Sequence, residues 1–137
     1  MEMVIQEEPT GCGLASVAIL AKEKYASVKT LANSLAIFAE DTRLYSDTGY
    51  VRRLLKEYGI RVAEEETPFA SWRALPNKAL LSIKYHIENG RPFWHWVVFV
   101  RESGKPVVLD PAKYLPNNRR TDFEKMQPKW FIEVYDR

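Results

Sequence analysis

Eight consecutive residues, Phe93-Trp94-His95-Trp96-Val97-Val98-Phe99-Val100, constrain the fold of this protein more than any other stretch. The run is strand-length and carries aromatic and β-branched side chains at odd and even positions alike, so both of its faces are apolar. Such a strand needs a layer on each side and neighbours at each edge. It belongs at the centre of a sheet, and the segments around it read as that sheet. Ala79 to Ile83 is an expected strand, and Glu88-Asn89-Gly90-Arg91-Pro92 an expected turn. Ser103-Gly104 is a hairpin turn into Val107-Val108-Leu109, which Asp110-Pro111 stops. A loop rich in Pro and Asn follows, then a helical turn at 122–126 and a last strand over 129–134.

The N-terminal half has a different period. From Cys12, the residues Leu14, Val17, Ala18, Ala21 and Tyr25 recur at steps of three and four. They predict a helix with one buried face and with Lys22, Glu23 and Lys24 on its wet side. A second helix is expected from Ser27 or Lys29, with Leu31, Leu35 and Phe38 inward and with Ala32 and Ala36 allowing close packing. Asp47 or Thr48 caps a third, whose stripe is Val51, Leu54, Leu55 and Tyr58 and whose end is Gly59. Met3-Val4-Ile5 is expected as an edge strand and Ile60 to Ala63 as a short strand. Helices first and an antiparallel sheet second describe an α+β fold, expected as a single domain over 1–137. That length can bury a core without disulfides or metals.

Charge and composition narrow the function. Twenty Lys and Arg against 18 Asp and Glu give a net charge of +2, with the two signs interspersed. No basic stripe asks for nucleic acid. Glu64-Glu65-Glu66 reads as a solvated segment. A single cysteine excludes an intrachain disulfide and fits a reducing compartment. With no secretory signal and no membrane-length apolar run, the expectation is a soluble, cytoplasmic protein, with export by another route left open.

Cys12 lies between Gly11 and Gly13, where a loop turns into a helix. Free N–H groups and the positive end of the helix dipole stabilise negative charge on sulfur at such a place. A thiol nucleophile also needs a base, and the base needs a group to orient its ring. Only two histidines exist. His86, between polar neighbours near a turn, reads as a surface residue. His95 opens the central strand and by alternation shares a face with Val97 and Phe99; a Cys12 helix on that face would bring thiol and imidazole together. The hairpin then sets Asp110 laterally beside His95, where a carboxylate can accept the ring N–H. Each residue also has a plainer reading: a small core cysteine, a satisfied core histidine, a strand-ending Asp before Pro. Trp94 and Trp96 read as core or rim aromatics that can wall a substrate groove, and Arg119-Arg120 as a solvated loop. One Cys and two His at no ligand spacing describe no zinc site, and neither a phosphate-cradling glycine loop nor a GxSxG elbow is present.

Taken together, Gln6, Cys12-Gly13, His95-Trp96-Val97-Val98 and Asp110-Pro111 resemble the C39 peptidase group of the papain-like cysteine peptidases. A Gln six residues before a Cys-Gly, a His followed by an aromatic and valines, and an Asp-Pro occur here in that order. The resemblance extends over nearly the whole sequence. It implies a papain-like fold, with helices and sheet as the two walls of a cleft. It implies Cys12 as nucleophile, His95 as general base and then acid, Asp110 as orienter, and Gln6 with the Cys12 backbone N–H as oxyanion hole. Gly11, Gly13, Trp94 and Trp96 are expected to contribute to substrate binding. With no membrane or nucleotide-binding segments seen, a free-standing relative is expected, and Gly11, where transporter-linked members usually carry Asp, speaks against their double-glycine specificity. The substrate is expected to be a peptide or protein segment with a small residue near the scissile bond, and no metal or organic cofactor is expected. Deamidation or transglutamination on the same triad, and a non-catalytic peptide-binding module, are the alternatives.

Overall fold

The structure, a computed structural model, describes residues 1–135. Its sheet has six strands, all paired antiparallel, in the order β1-β6-β2-β3-β4-β5. These are β1 (Thr67–Pro68), β2 (Lys78–Glu88), β3 (Arg91–Glu102), β4 (Lys105–Leu109), β5 (Arg119–Arg120) and β6 (Trp130–Glu133). Three helices precede it: α1 (Cys12–Ala21), α2 (Tyr25–Ser34) and α3 (Gly49–Glu57). Single 3₁₀ turns occupy Thr42–Ser46 and Phe123–Lys125. The architecture is α+β.

Local chemistry sets both hairpins. Asn89-Gly90 joins β2 to β3 and Ser103-Gly104 joins β3 to β4, and all four residues have φ between 49° and 78°. Two consecutive left-handed residues make the turn whose twist matches that of the flanking strands. The register they impose pairs Val98 with Leu109 and Ile83 with His95. Between Ile83 and His86 the register of β2 slips by one residue, so Lys84 and Tyr85 together face Trp94. Lys84 sits in this bulge at φ 55°.

The two faces of β3 meet different layers, and here the expectation from alternation is corrected. Trp94, Trp96, Val98 and Val100 belong to the core formed with α1, α2 and α3. Val97 and Phe99 point the other way, into a smaller core with Leu81, Ile83, Leu75 and Met126. The helices therefore cover the tryptophan face of the strand. Leu75 and Met126 lie in the irregular connections, and the partly buried Phe69, Trp72 and Phe123 also pack on this second core. A loop layer satisfies the second apolar face as well as a helix layer would.

Other boundaries move for similar reasons. All ten residues of α1 are buried, so this helix has no wet side; it lies between α2, α3 and β3. Lys22 takes a left-handed conformation (φ 59°), stops α1 and lets α2 begin at Tyr25. The buried set of α2 is Tyr25, Val28 and Ala32. A further left-handed residue, Ala36 (φ 60°), turns Ile37 into the core and leaves Phe38 47% exposed. Met3 to Ile5 form no strand, and Val62 makes only an isolated bridge to Val134. Arg119-Arg120, expected as loop, is the edge strand β5. Among the described residues no helix is long and apolar enough to cross a membrane.

Candidate active site

Cys12, His95 and Asp110 converge at the open flank of β3. Pairing between β3 and β4 stops at Val98–Leu109, so nearer the start of β3 its flank is free. The N-terminus of α1 fills that place. The Trp96 N–H donates to Cys12 Sγ at 3.4 Å, with sulfur standing where a neighbouring strand would offer a carbonyl. Asp110 follows the last paired residue of β4. It falls beside His95, as the hairpin suggested, and meets it diagonally across the strands. The His95 Nε2–Asp110 Oδ1 distance is 2.7 Å. Cys12 also acts electrostatically on His95. With Nε2 taken by the carboxylate, Nδ1 is the ring nitrogen left for sulfur.

The electrostatics follow from burial and these partners. Asp110 is fully buried, and His95 keeps only 14% of its side chain exposed. Burial alone would discharge the imidazole, but the hydrogen bond to Asp110 and the influence of Asp110 and Cys12 together raise its pKa to about 9. At neutral pH the ring is an imidazolium between a carboxylate and the sulfur. For Asp110 burial likewise opposes ionisation, yet the His95 hydrogen bond and charge, the Ala112 N–H and Arg120 together hold its carboxyl below the usual range.

Both oxygens of the Asp110 carboxylate accept hydrogen bonds. Oδ1 accepts from His95 and from the Ala112 N–H at 3.1 Å, and Oδ2 accepts from Arg120 Nη1 at 3.0 Å. The Arg120 guanidinium is itself held by Asp122 through two bonds of 3.0 and 2.8 Å. Asn118 Nδ2 clamps the loop by donating to the carbonyls of Asp110 (2.7 Å) and Ala112 (2.8 Å). Arg120 and Asn118 escape a sequence reading because nothing in their neighbourhood marks them. Only the return of the 111–118 loop, which pairs Leu109 with Arg119, brings them to the carboxylate.

Gln6 is buried at the same site, with its amide turned into its own loop. Nε2 donates to the carbonyls of Glu8 (3.0 Å) and Pro9 (3.1 Å), and Oε1 is buried with no hydrogen-bond partner. Its backbone is tied to the Asp110 loop by the Gln6 N–H donating to the Pro111 carbonyl at 2.9 Å. The Glu8 carboxylate of the same loop accepts from Tyr25 Oη and Lys29 Nζ, which anchors the loop to α2.

The glycines beside Cys12 and the two tryptophans are placed as packing elements. Gly11 and Gly13 are both buried. A methyl on Gly11 would strike Tyr25 Oη and lie 3.1 Å from the Glu8 carbonyl. One on Gly13 would strike the Tyr50 hydroxyl and come within 2.6 Å of its ring carbon Cζ. Each glycine thus admits a tyrosine against the first turn of α1. Trp96 is fully buried and packs edge-on against Trp94 and Trp130, which removes it from any substrate surface. Trp94, 7% exposed, keeps an edge in a cleft described below. Gly13→Ala is expected to destabilise the protein by about 1–3 kcal/mol through overpacking. Denaturant unfolding checks this. In the Tyr50→Leu background, which lacks the colliding atoms, the added cost of Gly13→Ala should shrink.

Two clefts meet at His95. One, of about 390 Å³, runs past Tyr45, Phe93 and Trp94, and the other, of about 460 Å³, runs past Gln6, Pro9 and Ala112. His95 lines both. Among the described residues, no group of three or more His, Cys, Asp or Glu side chains is placed to hold a metal ion. His86 is exposed and pairs with Glu88 at 3.3 Å. No protein-family model matches the sequence, and a search of curated proteins finds no significant match.

Proposed function

We propose that the protein is a cysteine peptidase, or a closely related amide hydrolase, acting through a thioacyl intermediate at Cys12, on a fold of the papain-like type. One observation carries the reading. Residues 12, 95 and 110, from a helix start, a strand and a strand end, come together as thiol, imidazole and carboxylate with His95 Nε2 2.7 Å from Asp110. A packing cysteine needs no imidazole, and a core histidine needs no buried carboxylate with an arginine behind it. The helix-then-sheet order, with the nucleophile at the start of α1, supports the fold assignment.

The chemistry on these residues is as follows. Cys12 sulfur, paired with the His95 imidazolium, attacks the carbonyl carbon of an amide bond. The tetrahedral oxyanion faces the first N–H groups of α1, beginning with that of Cys12, which have no intrahelical acceptor. As the intermediate collapses, the C–N bond breaks and His95 gives its proton to the leaving amine. A water molecule, losing a proton to His95, then attacks the thioester. It releases the carboxylic acid and returns Cys12 and an imidazolium. Gln6 joins the oxyanion hole once its amide leaves the Glu8 and Pro9 carbonyls; such a donor is worth about 3–4 kcal/mol of barrier.

The inward amide of Gln6 and the 4% exposure of Cys12 favour a second reading, a peptide-binding module on the same scaffold. Alkylation separates the two. Under the peptidase reading, iodoacetamide modifies Cys12 readily at pH 6, and His95→Ala slows that reaction at least tenfold at the same pH. A rate indifferent to His95, rising only as an ordinary thiol ionises, would favour the binding module. The substrate is then sought by cleavage profiling of a peptide library.

A further inference from the structure

The two clefts at His95 are bridged by one contact between side chains. Lys84, on the wall of the first cleft, donates its Nζ to the hydroxyl of Tyr114, on the wall of the second. The same ammonium lies 4.7 Å from the centroid of the Tyr114 ring. Both residues are exposed, and among the described residues no carboxylate stands within salt-bridge distance of Lys84. The neighbouring acid, Glu88, is occupied by His86.

Lys84 also occupies a costly backbone position. It is the residue of the β2 bulge with φ 55°, directly across the hairpin from the Trp94–His95 end of β3. An L-residue other than Gly, Asn or Asp rarely sits there, and bulges beside reaction centres commonly re-aim a side chain. Glycine would relieve this strain but would bring no ammonium to the cleft. The His86 ring holds the bulge, with Nδ1 at 2.9 Å from the Lys84 carbonyl oxygen.

From the bulge, the bridging contact and the missing carboxylate together, we propose that Lys84 is a specificity residue that binds a carboxylate of the substrate beside the scissile bond. Tyr114 is its partner in the resting state. The inference rests on the peptidase reading given above. A substrate carboxylate displaces the Tyr114 hydroxyl, since it offers the ammonium a full negative charge where the hydroxyl offers only a dipole. The exchange opens the bridge between the two clefts at the moment a substrate lies across His95. The carboxylate is either that of an Asp or Glu residue or the C-terminal one of a peptide.

Matched affinity labels test this without a natural substrate. Four reagents carry the same iodoacetyl electrophile: iodoacetyl-Glu-amide, iodoacetyl-Gln-amide, iodoacetyl-Gly with a free carboxylate, and iodoacetyl-Gly-amide. Each forms a Cys12 thioether and releases iodide, and the acid-to-neutral rate ratio is read in the full-length protein. The Glu/Gln pair reports an Asp- or Glu-type carboxylate and the glycine pair a C-terminal one. Lys84→Gln and Lys84→Gly should each lower the ratio of the responding pair about 3–5-fold. Lys84→Gly should not lower the thermal midpoint, because glycine accepts φ 55°. Tyr114→Ala, which removes the competing partner of an exposed lysine, should raise the ratio. Ratios that stay the same in both Lys84 variants overturn the proposal. If instead the neutral reagents react at the same rate in His95→Ala, the peptidase reading itself fails, whatever the ratios show.

Discussion

Asp110→Asn is expected to leave a folded protein in which the proposed peptide-cleaving activity is lower by about 10³–10⁴-fold. Asparagine is nearly isosteric with aspartate, and its single amide oxygen can serve either the Ala112 N–H or Arg120, which bind different oxygens of the carboxylate. His95 then faces an amide N–H or a neutral oxygen in place of a charge. Facing the N–H, imidazole Nε2 must act as acceptor, which places the proton on Nδ1 and presents the wrong tautomer to the neutral-ring steps at Cys12. The pH dependence changes as well. Because the folded His95 pKa is about 9 against an ordinary 6.5, the ring's contribution to stability is complete below about pH 6.5 and is lost as pH rises through 9. Removing the Asp110 charge brings the folded pKa back toward the ordinary value. The fall in stability, tracked from pH 6 to 10, should therefore begin at lower pH in the variant. A profile that matches wild type would mean that Asp110 does not control the protonation of His95.

Arg120→Leu is expected to cost about 3 kcal/mol of stability, read from the denaturant midpoint. The penalty comes from a fully buried carboxylate oxygen left without its donor, because among the described residues Oδ2 of Asp110 has Arg120 as its one hydrogen-bonding side chain. The variant should also unfold at higher pH on acidification. Asp110 contributes stability above the ordinary carboxylate pKa of 3.8 and loses it as pH falls through the depressed folded value; without Arg120 that value is less depressed. Adding Asp110→Asn to Arg120→Leu should recover part of the loss, since a neutral amide costs less to bury than an unpaired charge. A protein indifferent to Arg120→Leu would show that solvent reaches Asp110.

Arg120 also marks a limit of reading the sequence. Features that depend on short stretches were legible there. Asn89-Gly90 and Ser103-Gly104 dictate their own turns, and these set the register that carries Asp110 toward His95. The helix start at Cys12, the end of α3 at Gly59 and the central place of Phe93 to Val100 follow from local composition and period. So does the choice of Cys12, His95 and Asp110 as candidates, since thiol and imidazole are scarce enough in this protein to be matched by chemistry, and the hairpin then points to the carboxylate.

What only the tertiary structure decided was which surfaces meet. Alternation divides β3 into two apolar faces but does not say that helices cover Trp96 and Val98 while loops cover Val97 and Phe99, because both faces are equally apolar. The thiol reaches the imidazole at the open flank of the strand, a position that exists because β4 ends at Leu109. Gly11 and Gly13 look like substrate-groove residues until Tyr25 and Tyr50, from two other helices, are seen to need the space. Arg120, Asn118 and the Lys84–Tyr114 bridge owe their places to a long loop return and to a one-residue bulge. Such contacts join residues separated by 8 to 30 positions, and their energies are settled by packing rather than by local propensity. For that reason the sequence alone determined the candidate nucleophile, base and orienter, while the folded protein determined how their charges are held and which groups stand around them.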